Sequence, residues 1–324
     1  MHLARPSTAL LLAAGACAPA PPTTTEPTTT TRAPTTTTAA PTTTAAPTTT
    51  TAAPTTTITA APTTTAAPAA GYDITLRITD SPSAAATQAV REAEADLESL
   101  ITSDLPDLSG TAGWQCDSAM PDPPSTIDDL FIDVAFVDED GPGGILGRAG
   151  PCVIRSSSGL PITGTIVLDR ADVEALIGSS QLRDTVLHEM GHVVGIGTLW
   201  NHQGLLQGAG TSDPRFTGAN AISEWRTLGG VGDVPVENQG GSGTRDGHWR
   251  ESVFGNELMT GYLNSGVNPL SRMSGASLKD LGYDVDLSQA EPFTLPPPAV
   301  RSADQPAPAS APAEVLLAPT RTAG

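Results

Sequence analysis

The reading turns on Gln181-Leu182-Arg183-Asp184-Thr185-Val186-Leu187-His188-Glu189-Met190-Gly191-His192-Val193-Val194. Its apolar residues recur at helical spacing, Ser179 or Ser180 can cap its start, Asp184 suits its first turns, and Gly195 and Gly197 can end it. The spacing predicts an amphipathic helix. His188 and His192, four apart, then leave the same face one turn apart, so two imidazole nitrogens can reach a single zinc ion. Glu189 sits beside the first histidine, placed to contact a water on the metal without binding the metal itself. A catalytic zinc wants three protein ligands and one open position. For the third ligand the residues alone leave three choices: His202, His248, or a carboxylate such as Glu224 in the helix-like stretch 220–228.

Upstream of this helix the pattern alternates between strand and helix. Residues 72–79 alternate as a strand, and Pro82 and Ser83 open a helix with an apolar stripe of Ala86, Val90, Ala93, Leu97 and Leu100 or Ile101. Residues 130–137 and 164–168 read as strands, with a turn at 141–144. Residues 145–154 read as extended, and Pro151 confines them to a sheet edge because it has no N–H to donate. Downstream, 271–283 reads as a closing helix whose Asp280, Asp284 and Asp286 are taken as solvated. The pattern is α+β.

Residues 18–70 are 25 Thr, 15 Ala and 10 Pro with Glu26, Arg32 and Ile58, too little apolar bulk to offset ordering, so a disordered linker is expected there. Residues 1–17 read as an export signal ending in Ala14-Gly15-Ala16-Cys17, which resembles a bacterial lipobox with Cys17 as the lipidated residue. A folded domain is expected over 71–296 and a disordered tail over 297–324. Four acids and four bases lie outside 71–290, so the net charge of −19 belongs to that stretch. It has no basic stripe, which excludes nucleic acid as a partner. No apolar run is long enough to span a bilayer, leaving the lipid on Cys17 as the membrane link. Cys116 and Cys152 are expected to form a disulfide in an exported protein.

The chain resembles the leishmanolysin-like zinc metallopeptidases in their bacterial form over most of residues 128–296. The resemblance rests on Gly143-Gly144-Ile145-Leu146-Gly147, Ala149-Gly150-Pro151-Cys152, Gly164-Thr165-Ile166-Val167-Leu168-Asp169 and His188 through Trp200. It continues through Val234-Pro235-Val236-Glu237, His248-Trp249-Arg250-Glu251, Glu257-Leu258-Met259-Thr260-Gly261 and Asn268-Pro269-Leu270-Ser271. In short-spaced metzincins the third histidine follows the second by six positions, where this chain has Thr198. In the leishmanolysin family it is a distant histidine, followed eleven positions later by a methionine in a tight turn below the metal. His248 and Met259 stand eleven apart. The resemblance thus implies His188, His192 and His248 as ligands of one catalytic Zn2+, with Met259 in the Met-turn. It implies a zincin/metzincin-like domain: a twisted mixed sheet with the active-site helix, then a mostly irregular C-terminal subdomain.

The expected activity is that of an exported zinc endopeptidase, extracellular or at the cell surface, monomeric, acting on protein or peptide. Glu189 would be the general base. Gly144, Ile145 and Leu146 on the edge segment would receive an extended substrate by strand addition, and Tyr262 would line the pocket or donate to the developing oxyanion. The alternative is a surface binding or adhesion module on the same fold with an inactive zinc site. Retention of His188, Glu189, His192 and His248 together favours the enzyme, since a decayed site would be expected to have lost its base or a ligand.

Overall fold

The computed structural model describes residues 71–297 and 313–324. The expectations for 1–17, for Cys17 and for the 18–70 linker fall outside the described residues.

The first half of the fold runs β1 (Ile74–Thr79), α1 (Ala84–Leu100), the short strands β2 (Leu108–Ser109) and β3 (Thr126–Ile127), β4 (Leu130–Val137), β5 (Ile145–Arg155), β6 (Pro161–Asp169), α2 (Arg170–Leu176) and α3 (Ser180–Val193). The second half has β7 (Leu206–Gln207), β8 (Arg215–Phe216), α4 (Ala219–Thr227), β9 (Val234–Pro235), α5 (Glu251–Phe254) and α6 (Arg272–Leu281). β10 (Ala313–Leu316) and β11 (Arg321–Ala323) complete the elements. The main sheet is ordered β1-β4-β6-β5; β1, β4 and β6 are parallel and β5 is antiparallel to β6. This is the mixed sheet of an α+β fold.

β4 shows why the sheet has two packed faces. Leu130, Ile132, Val134 and Phe136 enter the main core, while the alternate residue Phe131 joins Ile127, Cys152, Val153 and Ile162 in a smaller cluster. A strand buried on both faces reads as a nearly continuous apolar run, as 130–137 does apart from Asp133, which pairs with Arg77. α3 packs against α1 and lies along β5 and β6, with Leu182, Val186, Leu187, Met190 and Val193 buried. The smaller cluster is stapled by the Cys116–Cys152 disulfide.

The second half has little regular structure. It is organised around Trp200, Phe216, Trp249 and Phe254, with Trp200 and Trp249 ring centroids 4.4 Å apart. Asp280, expected to be solvated, instead accepts from Asn220 N and Ala221 N, both at 2.9 Å. It caps α4 in place of the capping side chain that Gly218 cannot supply, and so ties α6 to α4. Helix α2, which the strand pattern did not announce, begins directly at the end of β6 because Asp169 accepts from Ala171 N at 2.7 Å.

The expectation of disorder over 297–324 needs correction at its far end. β10 pairs in parallel with Ile145–Ala149 and β11 with Val153–Arg155, both on the outer edge of β5. The apolar run Val315-Leu316-Leu317 and the unpaired edge explain this order; Pro- and Ala-rich composition on either side masked it. Among the described residues no helix is long and apolar enough to cross a membrane.

Replacing Cys116 and Cys152 by serine releases a staple across a sequence separation of 36 residues. Thermal unfolding of that variant should show a loss of about 3 kcal/mol, or roughly 6–12 °C in Tm.

Candidate metal centre

α3 brings His188 and His192 to one place because they are a helical turn apart. His248 arrives from a loop that must come very close to the end of α3. Gly197 permits this: its φ is +78°, and a Cβ there would fall 1.9 Å from Gly247 O. No side chain fits that contact, and the backbone conformation itself favours glycine.

All three imidazoles have the Nδ1 side fixed by a main-chain carbonyl. His188 Nδ1 is 2.6 Å from Leu258 O, His192 Nδ1 2.8 Å from Ile196 O, and His248 Nδ1 2.9 Å from Thr244 O. A carbonyl oxygen only accepts, so the proton belongs on each Nδ1 and the Nε2 lone pairs are left to face one another. The Nε2 atoms lie 2.9, 3.1 and 3.2 Å apart. Tetrahedral zinc with nitrogens at about 2.0–2.1 Å sets them about 3.3 Å apart, so the donor set fits such an ion in number, type and spacing. These three side chains form a group that could hold a metal ion, and His192 and His248 are fully buried.

The segment 257–260 supports two of the three. Leu258 supplies the carbonyl for His188, and Met259 O accepts from Trp249 N at 2.9 Å, next to His248. Met259 is fully buried under α3, where a Cβ on Gly191 would come 2.8 Å from its sulfur. The turn is held by Glu257. Its carboxylate accepts from Met259 N at 2.7 Å, Ser271 N at 3.1 Å and Ser271 Oγ at 2.6 Å, and also from Ser274 Oγ. Complete burial pushes its pKa up against the lowering effect of these donors.

Glu189 is 2% exposed and lies under β5, where a Cβ on Gly147 would stand 2.9 Å from its Oε1. Beside it opens a small cleft walled by His188, Glu189, Leu146, Thr185, Leu258, Tyr262 and Leu263, among others. Leu146 and Tyr262 thus reach the same space as the histidines. The phenol of Tyr262 is pushed above its ordinary pKa by burial, then by the charges of Glu237 and Glu251. Gly144 and Ile145 lie at the start of β5, where Ile145 N donates to Asp140 Oδ1 at 2.9 Å and Ile145 stands in register with Ala313. The other two third-ligand choices are elsewhere: His202 is exposed, and Glu224 pairs with Arg272 at 3.0 Å. The carbonyls of Leu258, Ile196 and Thr244 were not foreseen, because main-chain acceptors leave no mark in the residue types.

The leishmanolysin family model matches residues 125–296, more than half of the chain. The chain belongs to the leishmanolysin family. No curated protein matches it. The matched span contains all three histidines, Glu189 and the turn at Met259. Leishmanolysin-family peptidases are zinc-dependent hydrolases of peptide bonds, so membership indicates a zinc metallopeptidase with protein or peptide substrates.

In this leishmanolysin-family chain Glu251 adds a pH dependence beside the centre. Burial raises its carboxyl from the usual 4.5 to about 7; Asn264 and Thr260 oppose the shift and the charge of Glu237 adds to it. A raised carboxyl pKa makes the folded state hold a proton that the unfolded chain releases, so stability falls as pH rises from about 4.5 to about 7 and is level above. Glu251→Gln should therefore stabilise the fold at pH 8 by an amount on the order of 2 kcal/mol, seen as a higher Tm, and change little at pH 4. Melting curves at the two pH values check this.

Proposed function

We propose that the chain is an exported zinc endopeptidase in which His188, His192 and His248 hold the ion and Glu189 is the general base. The observation that carries this reading is the convergence of three Nε2 atoms with carbonyl-anchored Nδ1 atoms, beside a buried Glu189 that borders the cleft. Bound zinc supplies Lewis acidity, which makes water nucleophilic near neutral pH and polarises a carbonyl. Glu189 accepts the proton of the attacking water and passes it to the leaving amine. Gly147 leaves no Cβ to push that carboxylate aside. Leu146, Leu258 and Leu263 give the cleft an apolar wall for a substrate side chain, and Tyr262 lines it within reach of the reacting peptide. Met259 closes the floor under α3. Gly144, Ile145 and Leu146 present main-chain groups to an extended peptide.

The same reading places the enzyme outside the cell or at its surface. The 1–17 stretch directs export, Cys17 carries the lipid, and the Thr/Ala/Pro tract spaces the domain from the membrane as a tether. Incorporation of a labelled lipid precursor into the chain, lost in Cys17→Ala, is the expected result; an unlabelled wild-type chain refutes the anchor.

The catalytic reading is tested on quenched peptide libraries. Glu189→Ala should keep about one zinc per chain by elemental analysis, because it removes no ligand, while cleavage falls by roughly 100–10,000-fold. His248→Ala should lose both zinc and cleavage, and a chelator should reproduce that loss in the wild type. Cleavage retained by Glu189→Ala would overturn the base assignment.

A further inference from the structure

Among the described residues, the edge of the sheet that lies beside Glu189 is the outer edge of β5, and residues 313–324 lie on it. Leu317 N donates to Ala149 O at 2.8 Å, Thr320 N to Cys152 O at 2.9 Å, and Ser156 N to Ala323 O at 2.9 Å. The ladder is interrupted at Pro151: β10 stops opposite Ala149 and β11 resumes opposite Val153. The missing N–H of proline accounts for the break.

Two contacts carry this segment toward the metal centre. Gly147, the residue whose Cβ would touch Glu189, stands in register with the backbone of Glu314. Leu316 lies against the loop of the third histidine: a Cβ on Gly247 would fall 2.1 Å from Leu316 Cδ1. Leu316 and Leu317 also help to line an open surface depression with Gly197, Thr198 and Leu206. The fit is close on the strand side too, since the three atoms nearest a Cβ on Gly150 all belong to Leu317, the first being its carbonyl oxygen at 2.1 Å.

We infer that the outer edge of β5 is a groove for extended peptides with a subsite for a leucine side chain beside Gly247, and that segment 313–324 is its resident occupant. It holds the groove by strand addition, and a peptide substrate must displace it. This rests on the endopeptidase reading for its consequence, which is self-inhibition. An intramolecular competitor acts at an effective concentration of about millimolar, so its removal should lower KM about tenfold or more.

The full chain is compared with a chain ending at Pro312, with Gly150→Ala, and with Leu317→Pro, which removes the N–H donated to Ala149. Amide hydrogen exchange over 145–155 and kcat/KM on extended peptides are measured for each. A synthetic peptide of residues 313–324 is then added back. Truncation and Leu317→Pro should speed exchange at the β5 edge and raise kcat/KM, chiefly through KM, and Gly150→Ala in the full chain should speed that exchange. The added peptide should restore protection and inhibit the truncated chain competitively. It should fail to restore protection when the truncated chain also carries Gly150→Ala, because the added Cβ stands where Leu317 sits. Equal exchange and equal turnover in the full and truncated chains would overturn the inference. If no form cleaves any peptide while exchange and add-back behave as expected, the endopeptidase reading fails and the groove with its occupant stands.

Discussion

Three main-chain carbonyls decide what this site can be. Each takes the Nδ1 proton of one histidine and so fixes both its tautomer and the direction of its ring. A surface histidine would be free to rotate and to protonate; these three are presented as a preset face of lone pairs. The carbonyls come from three different places: the turn after α3, the loop before His248, and the turn at Met259. Everything that holds those segments in position therefore acts on the metal centre, including residues that never approach it.

Glu257 is the clearest case. A buried carboxylate is costly unless fully bonded, and this one is met by two main-chain N–H groups and two serine hydroxyls. It joins the start of α6 to the turn that carries Leu258 and Met259. The glycines work in the opposite way, through what they lack. Gly147, Gly191 and Gly197 let β5, the Met259 turn and the His248 loop approach α3 more closely than any side chain would allow.

The sequence was legible where spacing carries chemistry. The pair His188 and His192 needed only the helical repeat, and β4 needed only its apolar run. His248 could not be chosen from the residues alone, because its nearness to the pair depends on how a long irregular segment folds; the interval to Met259, read through family resemblance, singled it out. Asp280 was misread because a carboxylate on an exposed helix face looks the same whether it meets water or the bare N-terminus of another helix. Segment 313–324 was misread for a related reason. A short apolar run counts for little in a Pro- and Ala-rich stretch until a vacant strand edge offers it a partner.

That segment also has a temporal meaning. Thr320 meets Cys152 across 168 positions of sequence, among the longest separations bridged by the described residues. Contacts that close so large a loop form late, after local elements have already condensed. During synthesis the sheet, α3 and the histidine loop all precede residues 313–324. On that order of events the nascent chain passes through an interval in which the domain is assembled and its edge is still uncovered. Whatever the chain meets in that interval, other copies of itself included, it meets with its groove open.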